Sequence, residues 1–436
     1  MSRYWIRRYR ACCAVLFLVL PAAGNAADAS AQRDTLSLAQ AITATVARNP
    51  ELQSSVFGLR AADARITQAA IRPNPELSLQ LENFGGSGHV RGTDAMETTF
   101  MLSQVVELGD KRDAREQAAR DGYALLSVEG EARRLDILAE VTRRFIHVAS
   151  DQEEIALAQR ATALAETTLR AVEARVNAAK SPAVERHRAQ ILLTRAQVAE
   201  EHSEHELLSS RRKLAAMWGD HEADFGSVRA DLFQLPEPGD FDALLARLKT
   251  NPDFTRFAHE QRLRDAELRL TETRRVPNIE IGAGIRQLQE TDDHAFVVSV
   301  SMPLFTGSRH SGAVAEASAR QAQVTVDEHG ALLRAQAQLF ELHQELRHAL
   351  TEATVLRTKI LPQTESILQQ TEYAYQRGRY SYLDWIAAQR ELLDARRSLI
   401  EASANAHRYV AEIERLTGES LTVGNASHFY RHENLQ

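Results

Sequence analysis

The residues whose type and spacing come closest to a reactive site are two histidines in a charged segment. His202 and His205 lie three apart within residues 201–206 (EHSEHE). This spacing places both imidazoles on one face of a helix, where they can bind a divalent metal ion. No third ligand converges on them in the sequence, and their charged neighbours are equally typical of a solvated helix face. Both interpretations stay open, and we expect no resident metal or cofactor.

Motifs for catalysis or nucleic-acid binding are absent from the sequence. We find no nucleophile elbow, phosphate-binding loop or Cys/His cluster, so an enzyme is not expected. Without the four arginines of the N-terminal segment, 52 − 4 = 48 basic residues face 59 acidic ones, a charge of −11. A chain this acidic is not expected to bind nucleic acid, because phosphate binding needs a basic surface.

The N-terminal segment is typical of a secretory signal peptide. A basic stretch containing Arg3, Arg7, Arg8 and Arg10 precedes a short apolar core at residues 11–20. We predict a signal peptide over residues 1–26, with cleavage after Ala26. Cys12 and Cys13 lie ahead of the apolar core rather than after it, so no lipid anchor is expected.

The rest of the chain repeats one plan twice. The sequence at 49–51 (NPE) recurs at 251–253 (NPD), and residues 103–111 align with residues 301–309 at an offset of roughly 200. We therefore predict a first repeat over 27–225, a linker over 226–240 packed outside the helices, and a second repeat over 241–436.

Each repeat contains two stretches in which apolar and polar residues alternate. This period of two predicts strands at about 75–84, 95–106, 277–288 and 294–304. Strands of about ten residues with one apolar side are typical of membrane barrels, although a half-buried sheet in a soluble domain gives the same pattern. Four strands are too few to close a barrel, so a barrel requires several copies of the chain.

Long helical hairpins follow the strands in both repeats. Residues 110–177 contain no proline, and as one helix they would reach ~100 Å. Residues 308–376 form a second long run, which Pro362 should kink. The return helices are predicted to begin after short turns, with Ser181 as N-cap and Pro182 at the first helical position of one. Ser381 and Asp384 fit a capping box at the start of the other.

These features together resemble the TolC family of outer-membrane factors. The resemblance rests on the duplicated halves, the paired Asn-Pro openings, and the segments 72–86 (RPNPELSLQLENFGG) and 103–112 (SQVVELGDKR). It covers nearly all of the mature chain. Within the family, the two segments are most similar to the CzcC/CusC branch, which serves heavy-metal efflux.

The resemblance implies a mainly α-helical fold with a small β part and an internal twofold repeat. Three copies would form a periplasmic α-barrel of long antiparallel hairpins and a twelve-stranded β-barrel in the outer membrane. It further implies a passive conduit for heavy-metal cations such as cobalt, zinc, cadmium or copper. The implied partners are a homotrimer, outer-membrane lipid, a periplasmic adaptor (membrane fusion protein) and an inner-membrane pump of the RND type.

The resemblance also assigns functional residues to the turns of the hairpins. Asp384 matches a position where the family places acidic residues at the periplasmic constriction, and Glu185 is its counterpart in the first repeat. For Asp384 a plain helix cap is an equal alternative, and for Glu185 a solvated helix face is favoured. The turn residues expected to face the adaptor or pump, unless they serve turn geometry alone, are Lys180, Ser181, Arg379 and Tyr380.

Two other functions stay open at this stage. A TolC-type channel for drug efflux or type I protein secretion would share every feature described above. A soluble periplasmic coiled-coil scaffold would explain the helices, but it leaves the two predicted hairpins of strands without a purpose.

Overall fold

The computed structural model describes residues 35–418. The predicted signal peptide, with Ala26, Cys12 and Cys13, lies outside this range. The elements are β1 (Thr35–Leu36), α1 (Leu38–Arg48), α2 (Pro50–Ala69), β2 (Glu76–Glu82), β3 (Glu97–Val106), α3 (Lys111–Asn177), α4 (Ala183–Ala215), β4 (Ser227–Val228), α5 (Phe241–Leu248), α6 (Pro252–Thr273), β5 (Ile279–Leu288), β6 (Asp293–Ser301), α7 (Ser311–Val355), α8 (Leu361–Gln376) and α9 (Tyr382–Thr417).

Long antiparallel helices dominate the molecule, as the sequence predicts. Helix α3 runs without interruption for 67 residues, which corresponds to ~100 Å. It packs along α4, α6 and α9, while α7 packs against α6 and α9. Between residues 35 and 418, no helix combines the length and the apolar character needed to cross a membrane.

The second long helix changes its winding before the predicted kink at Pro362. Residues Leu356–Ile360 form a π-helical turn between α7 and α8. Pro362 has no backbone N–H and cannot continue the α-helical hydrogen-bond ladder, so the winding is relaxed in the preceding turn. On the N-terminal side of this turn, α7 buries Ala335, Leu339 and Leu346.

The four long strands form a single sheet in the order β2-β3-β5-β6, antiparallel throughout. The sequence predicts two hairpins, and the pairing of β3 with β5 joins them. One face of the sheet is apolar and open: Leu77, Phe296 and Val298 are exposed to 76%, 91% and 74%. Strands β2 and β6 form the two free edges of the sheet within this chain.

Helix α1 and the C-terminal end of α4 meet the middle of α3 in a compact region. Here α1 packs on α3 through buried Ile42, Val141 and Phe145. The predicted linker lies against this region, and its strand β4 pairs in parallel with β1. Each Asn-Pro pair opens a helix, because Asn49 and Asn251 cap α2 and α6 and the proline follows at the first position.

Candidate functional site at the hairpin turns

Two turns lie at the end of the helical hairpins, and the helix residues that flank them share one buried cluster. Residues 178–182 join α3 to α4, and residues 377–381 join α8 to α9. Val172 and Ala189 of the first hairpin pack in that cluster with Tyr375, Trp385 and Ile386 of the second. The two turns of one chain are therefore packed together rather than separate.

Arg175, in the last turn of α3, joins the two hairpins by polar contacts. Its Nη1 donates to the carbonyl oxygens of Tyr375 and Gln376, both at 3.0 Å. Those carbonyls lie at the C-terminal end of α8, where a cation is favourable. Its Nε donates to Ser181 Oγ at 3.1 Å, and the guanidinium lies 4.8 Å from the centre of the Tyr375 ring. One side chain thus holds both turns.

Tyr375 adds a second connection between the hairpins. Its ring is 2% exposed and stacks on Trp385 with centroids 4.9 Å apart. Its hydroxyl donates to Glu185 Oε2 at 3.1 Å. Burial raises the pKa of the Tyr375 phenol, so the phenol stays protonated and remains a donor at neutral pH. Glu185 is half-buried, which differs from the freely solvated carboxylate that its sequence context favours.

Asp384 is exposed in the first turn of α9 and completes the predicted capping box, which the structure confirms. Its Oδ2 accepts hydrogen bonds from the Ser381 hydroxyl at 2.7 Å and from the Ser381 backbone N–H at 3.0 Å. These two bonds lower the pKa of Asp384 below its ordinary value. The carboxylate is therefore charged at neutral pH and open to solvent.

The four turn residues predicted from the sequence differ in exposure. Lys180, Arg379 and Tyr380 are exposed, whereas Ser181 is half-buried. The predicted N-cap at Ser181 is wrong: α4 begins at Ala183, and its cap position is Pro182, without a side-chain hydrogen bond. The hydroxyl oxygen of Ser181 accepts from Arg175 instead, so a contact made outside α4 has replaced the local cap.

His202 and His205 lie on α4 away from the turns. His205 Nε2 is 3.7 Å from Glu201 Oε1, and both side chains are 69% exposed. Within the described part of the chain, no group of three His, Cys, Asp or Glu side chains is arranged to hold a metal ion.

Arg175, Tyr375 and Trp385 are the site residues that sequence reasoning misses. Tyr375 and Trp385 flank the second turn, and large aromatic residues beside an exposed turn are a usable signal. Arg175 gives no such signal, because its acceptors lie six residues away and about two hundred residues away along the chain.

Comparisons with known proteins identify the family. Residues 24–220 and 245–419 match the family model described as outer membrane efflux protein. The cobalt-zinc-cadmium resistance protein CzcC of Cupriavidus metallidurans is 27% identical over 331 residues, which cover 76% of this chain and 77% of CzcC. The nickel-cobalt-cadmium resistance protein NccC of Alcaligenes xylosoxydans xylosoxydans is 26% identical over 72% of this chain and 70% of NccC.

Solved structures share the fold at low sequence identity. A membrane protein from Pseudomonas aeruginosa superposes with a TM-score of 0.72 at 18% identity, covering 87% of this chain and 93% of that one. The channel CusC superposes with a TM-score of 0.66 at 16% identity, covering 88% and 92%. The chain thus belongs to the outer membrane efflux protein family, and its place is the bacterial outer membrane, with a large periplasmic portion.

Proposed function

We propose that this chain is the outer-membrane channel subunit of a tripartite export system and that its cargo is heavy-metal cations. The single observation that carries the channel role is the four-stranded sheet, whose exposed apolar face needs an apolar environment such as lipid. The cargo is supported by the relatives, which are named as resistance proteins against cobalt, zinc, cadmium and nickel.

The free edges of the sheet favour a homotrimer. Because β2-β3-β5-β6 alternate in direction, β6 of one copy runs antiparallel to β2 of the next when the copies stand side by side. An edge strand in a membrane must be paired, since lipid offers its backbone no hydrogen bonds. Three copies of four strands would give a closed, twelve-stranded barrel, and a twelve-helix tunnel would continue below it.

In this assembly the hairpin turns form the periplasmic end of the conduit. Three copies of Asp384 would place a ring of exposed carboxylates there, favouring cations over anions. Glu185 would lie beside that ring, tied to Tyr375. Lys180, Arg379 and Tyr380 would be accessible to a periplasmic adaptor and to an inner-membrane pump of the RND type. The conduit is passive and has no active site, because the pump supplies the energy.

The channel role is tested by reconstituting the purified mature protein in planar lipid bilayers. Discrete conductance steps from a detergent-stable trimer are expected. A protein that stays in solution without detergent and gives no conductance would contradict the channel and favour the scaffold.

The cargo is tested separately by deleting the gene in its host. Growth is then measured against cobalt, zinc, cadmium, nickel and copper, and against a panel of dyes and detergents. Increased sensitivity to the metals alone is expected. Sensitivity confined to dyes and detergents would keep the channel and replace the proposed cargo.

A further inference from the structure

The polar face of the sheet carries many carboxylates and one guanidinium. The strand pairing places five acidic side chains on this face: Glu76, Glu82, Glu97, Glu280 and Asp293. Arg286 shares it, and among the residues of β2, β3, β5 and β6 it is the only arginine or lysine. Arg286 is therefore the only positive charge that the strands supply to offset these carboxylates.

Arg286 contacts two of those carboxylates at once. Its Nη1 donates to Glu97 Oε2 at 2.8 Å, and its Nη2 donates to Glu82 Oε2 at 3.2 Å. Its Nε donates to Thr99 Oγ1 at 3.0 Å. The other oxygen of Glu97 accepts from Asn83 Nδ2 at 2.9 Å. The guanidinium is thus fixed by acceptors on two neighbouring strands.

The two carboxylates would repel each other without Arg286. Glu82 and Glu97 are direct cross-strand partners, and like charges in that position destabilise a sheet. Two adjacent carboxylates also supply oxygen ligands that coordinate divalent cations. The guanidinium occupies the position between them that such a cation would take, and it leaves the cluster with one net negative charge instead of two.

The position of the cluster matters for transport. Glu82 and Glu97 form the last pair of β2 and β3, next to the loop at 83–96 and at the opposite end of the sheet from the helices. The side chains of Arg286, Glu82 and Glu97 are 31%, 40% and 21% exposed on the polar face. Ions moving along this face would pass them last.

We propose that Arg286 sets the ion selectivity of the outer end of the pore by engaging Glu82 and Glu97, which would otherwise bind and retain passing divalent cations. The inference rests on the proposed function, because it needs the polar face to line a conducting channel. It assigns Arg286 a role in releasing the cargo.

The test compares channels of the wild type and of Arg286→Gln in planar bilayers. The variant is expected to be more cation-selective, seen as a shifted reversal potential in a potassium chloride gradient. Zinc chloride is expected to block the variant at a concentration at least about tenfold lower than it blocks the wild type. The two freed carboxylates increase the negative charge of the ligands, which tightens cation binding. Arg286→Lys keeps the positive charge and should stay close to the wild type. Arg72→Gln, an exposed arginine outside the sheet, is the control and should change neither property.

Two combined variants separate this role from a purely structural one. Removing all three charges with Glu82→Gln/Glu97→Gln/Arg286→Gln should return the zinc block to the concentration needed for the wild type or above. Glu82→Gln/Glu97→Gln leaves Arg286 uncompensated and should shift selectivity towards anions, even if Arg286→Gln alone fails to assemble. Unchanged selectivity in both Arg286→Gln and the double variant would overturn the proposal. So would a triple variant that is as sensitive to zinc as Arg286→Gln. A wild type without channel activity would instead overturn the proposed function.

Discussion

The side-chain amide of Asn251 donates a hydrogen bond of 3.0 Å to the backbone carbonyl oxygen of Leu416, and a second of 2.7 Å to that of Arg415. Its Oδ1 accepts from the backbone N–H of Asp253 at 2.8 Å. One asparagine therefore caps the start of α6 and ties it to the end of α9. Asn49 repeats this arrangement in the first half, where its Nδ2 donates to the carbonyl oxygen of Met217 at 2.8 Å.

Replacing either asparagine with alanine should lower the thermal unfolding midpoint of the trimer. The free energy of unfolding should fall more for Asn251→Ala, by about 2 kcal/mol. This variant loses a helix cap and also leaves buried carbonyl groups without their donor. Asn251 is 0% exposed and Asn49 is 5% exposed. Asn177→Ala, at an exposed helix end, is the control and should be nearly neutral. Equal midpoints for all three variants would show that the connection between the helix ends contributes no stability.

Arg175→Ala should loosen both hairpin turns at once. The substitution removes the donors to Tyr375 and Gln376 and the contact with Ser181. Hydrogen exchange measured by mass spectrometry should become faster over both 178–182 and 377–381. Arg170→Ala, an exposed position on the same helix, should leave both rates unchanged. Faster exchange in only the first turn would contradict a role for Arg175 in joining the hairpins.

The charge of Asp384 predicts a pH dependence. The Ser381 hydroxyl and backbone N–H lower the pKa of Asp384, so its folded value lies below the unfolded one. The stability that this carboxylate contributes is present above the ordinary aspartate range, near pH ~3.9, and is lost as the pH falls through the lower folded value. Cation selectivity of the wild type should exceed that of Asp384→Asn at neutral pH. The two should converge only in strongly acidic solution.

A constant difference between the two proteins down to low pH would show that the selectivity does not depend on ionised Asp384. No difference at neutral pH would reduce Asp384 to a helix cap.

Gln389 and Thr168 form a buried polar pair that suits a double-mutant cycle. Gln389 Nε2 donates to Thr168 Oγ1 at 2.8 Å, and the two residues are 3% and 0% exposed. Thr168→Val leaves the buried amide of Gln389 without its acceptor, at a cost of about 1–3 kcal/mol. Gln389→Met should cost less, because the Thr168 hydroxyl keeps its hydrogen bond to the carbonyl oxygen of Leu164. The double variant should be less destabilised than the sum of the single ones, as judged by thermal midpoints. Strict additivity would mean that this hydrogen bond couples the two helices by no measurable amount.

The histidines of α4 are expected to be dispensable. His202→Ala/His205→Ala should leave metal resistance of the host unchanged, because between residues 35 and 418 no three His, Cys, Asp or Glu side chains are arranged to hold a metal ion. Growth in cobalt, zinc and nickel salts measures this directly. A loss of resistance with normal amounts of trimer would instead support a metal site at His202 and His205.

Local signals explain which parts of the architecture could be predicted from the sequence. The capping box of Ser381 and Asp384 depends on only four consecutive residues. The faces of the strands follow from the period of two in their sequence. The long helices follow from composition and from the absence of proline over residues 110–177.

Contacts between distant residues explain what could not be predicted. The pairing of β3 with β5 and that of β1 with β4 each join residues nearly two hundred positions apart. Arg175 reaches the carbonyl oxygens of Tyr375 and Gln376 only when the two hairpins pack together. Pro362 indicates where the second long helix is disturbed, but the π-helical form depends on how the chain relaxes around the missing N–H.

That π-helical turn between α7 and α8 inserts one residue into the winding. In an α-helix one residue corresponds to a rotation of about 100°, so α8 presents a different side to its neighbours than an unbroken continuation of α7 would. The rotation of α8 about its own axis, relative to α7, is therefore set by Leu356–Ile360. Deleting one residue there would shorten the chain minimally, yet it would aim Tyr375 away from Glu185 and disconnect the two turns.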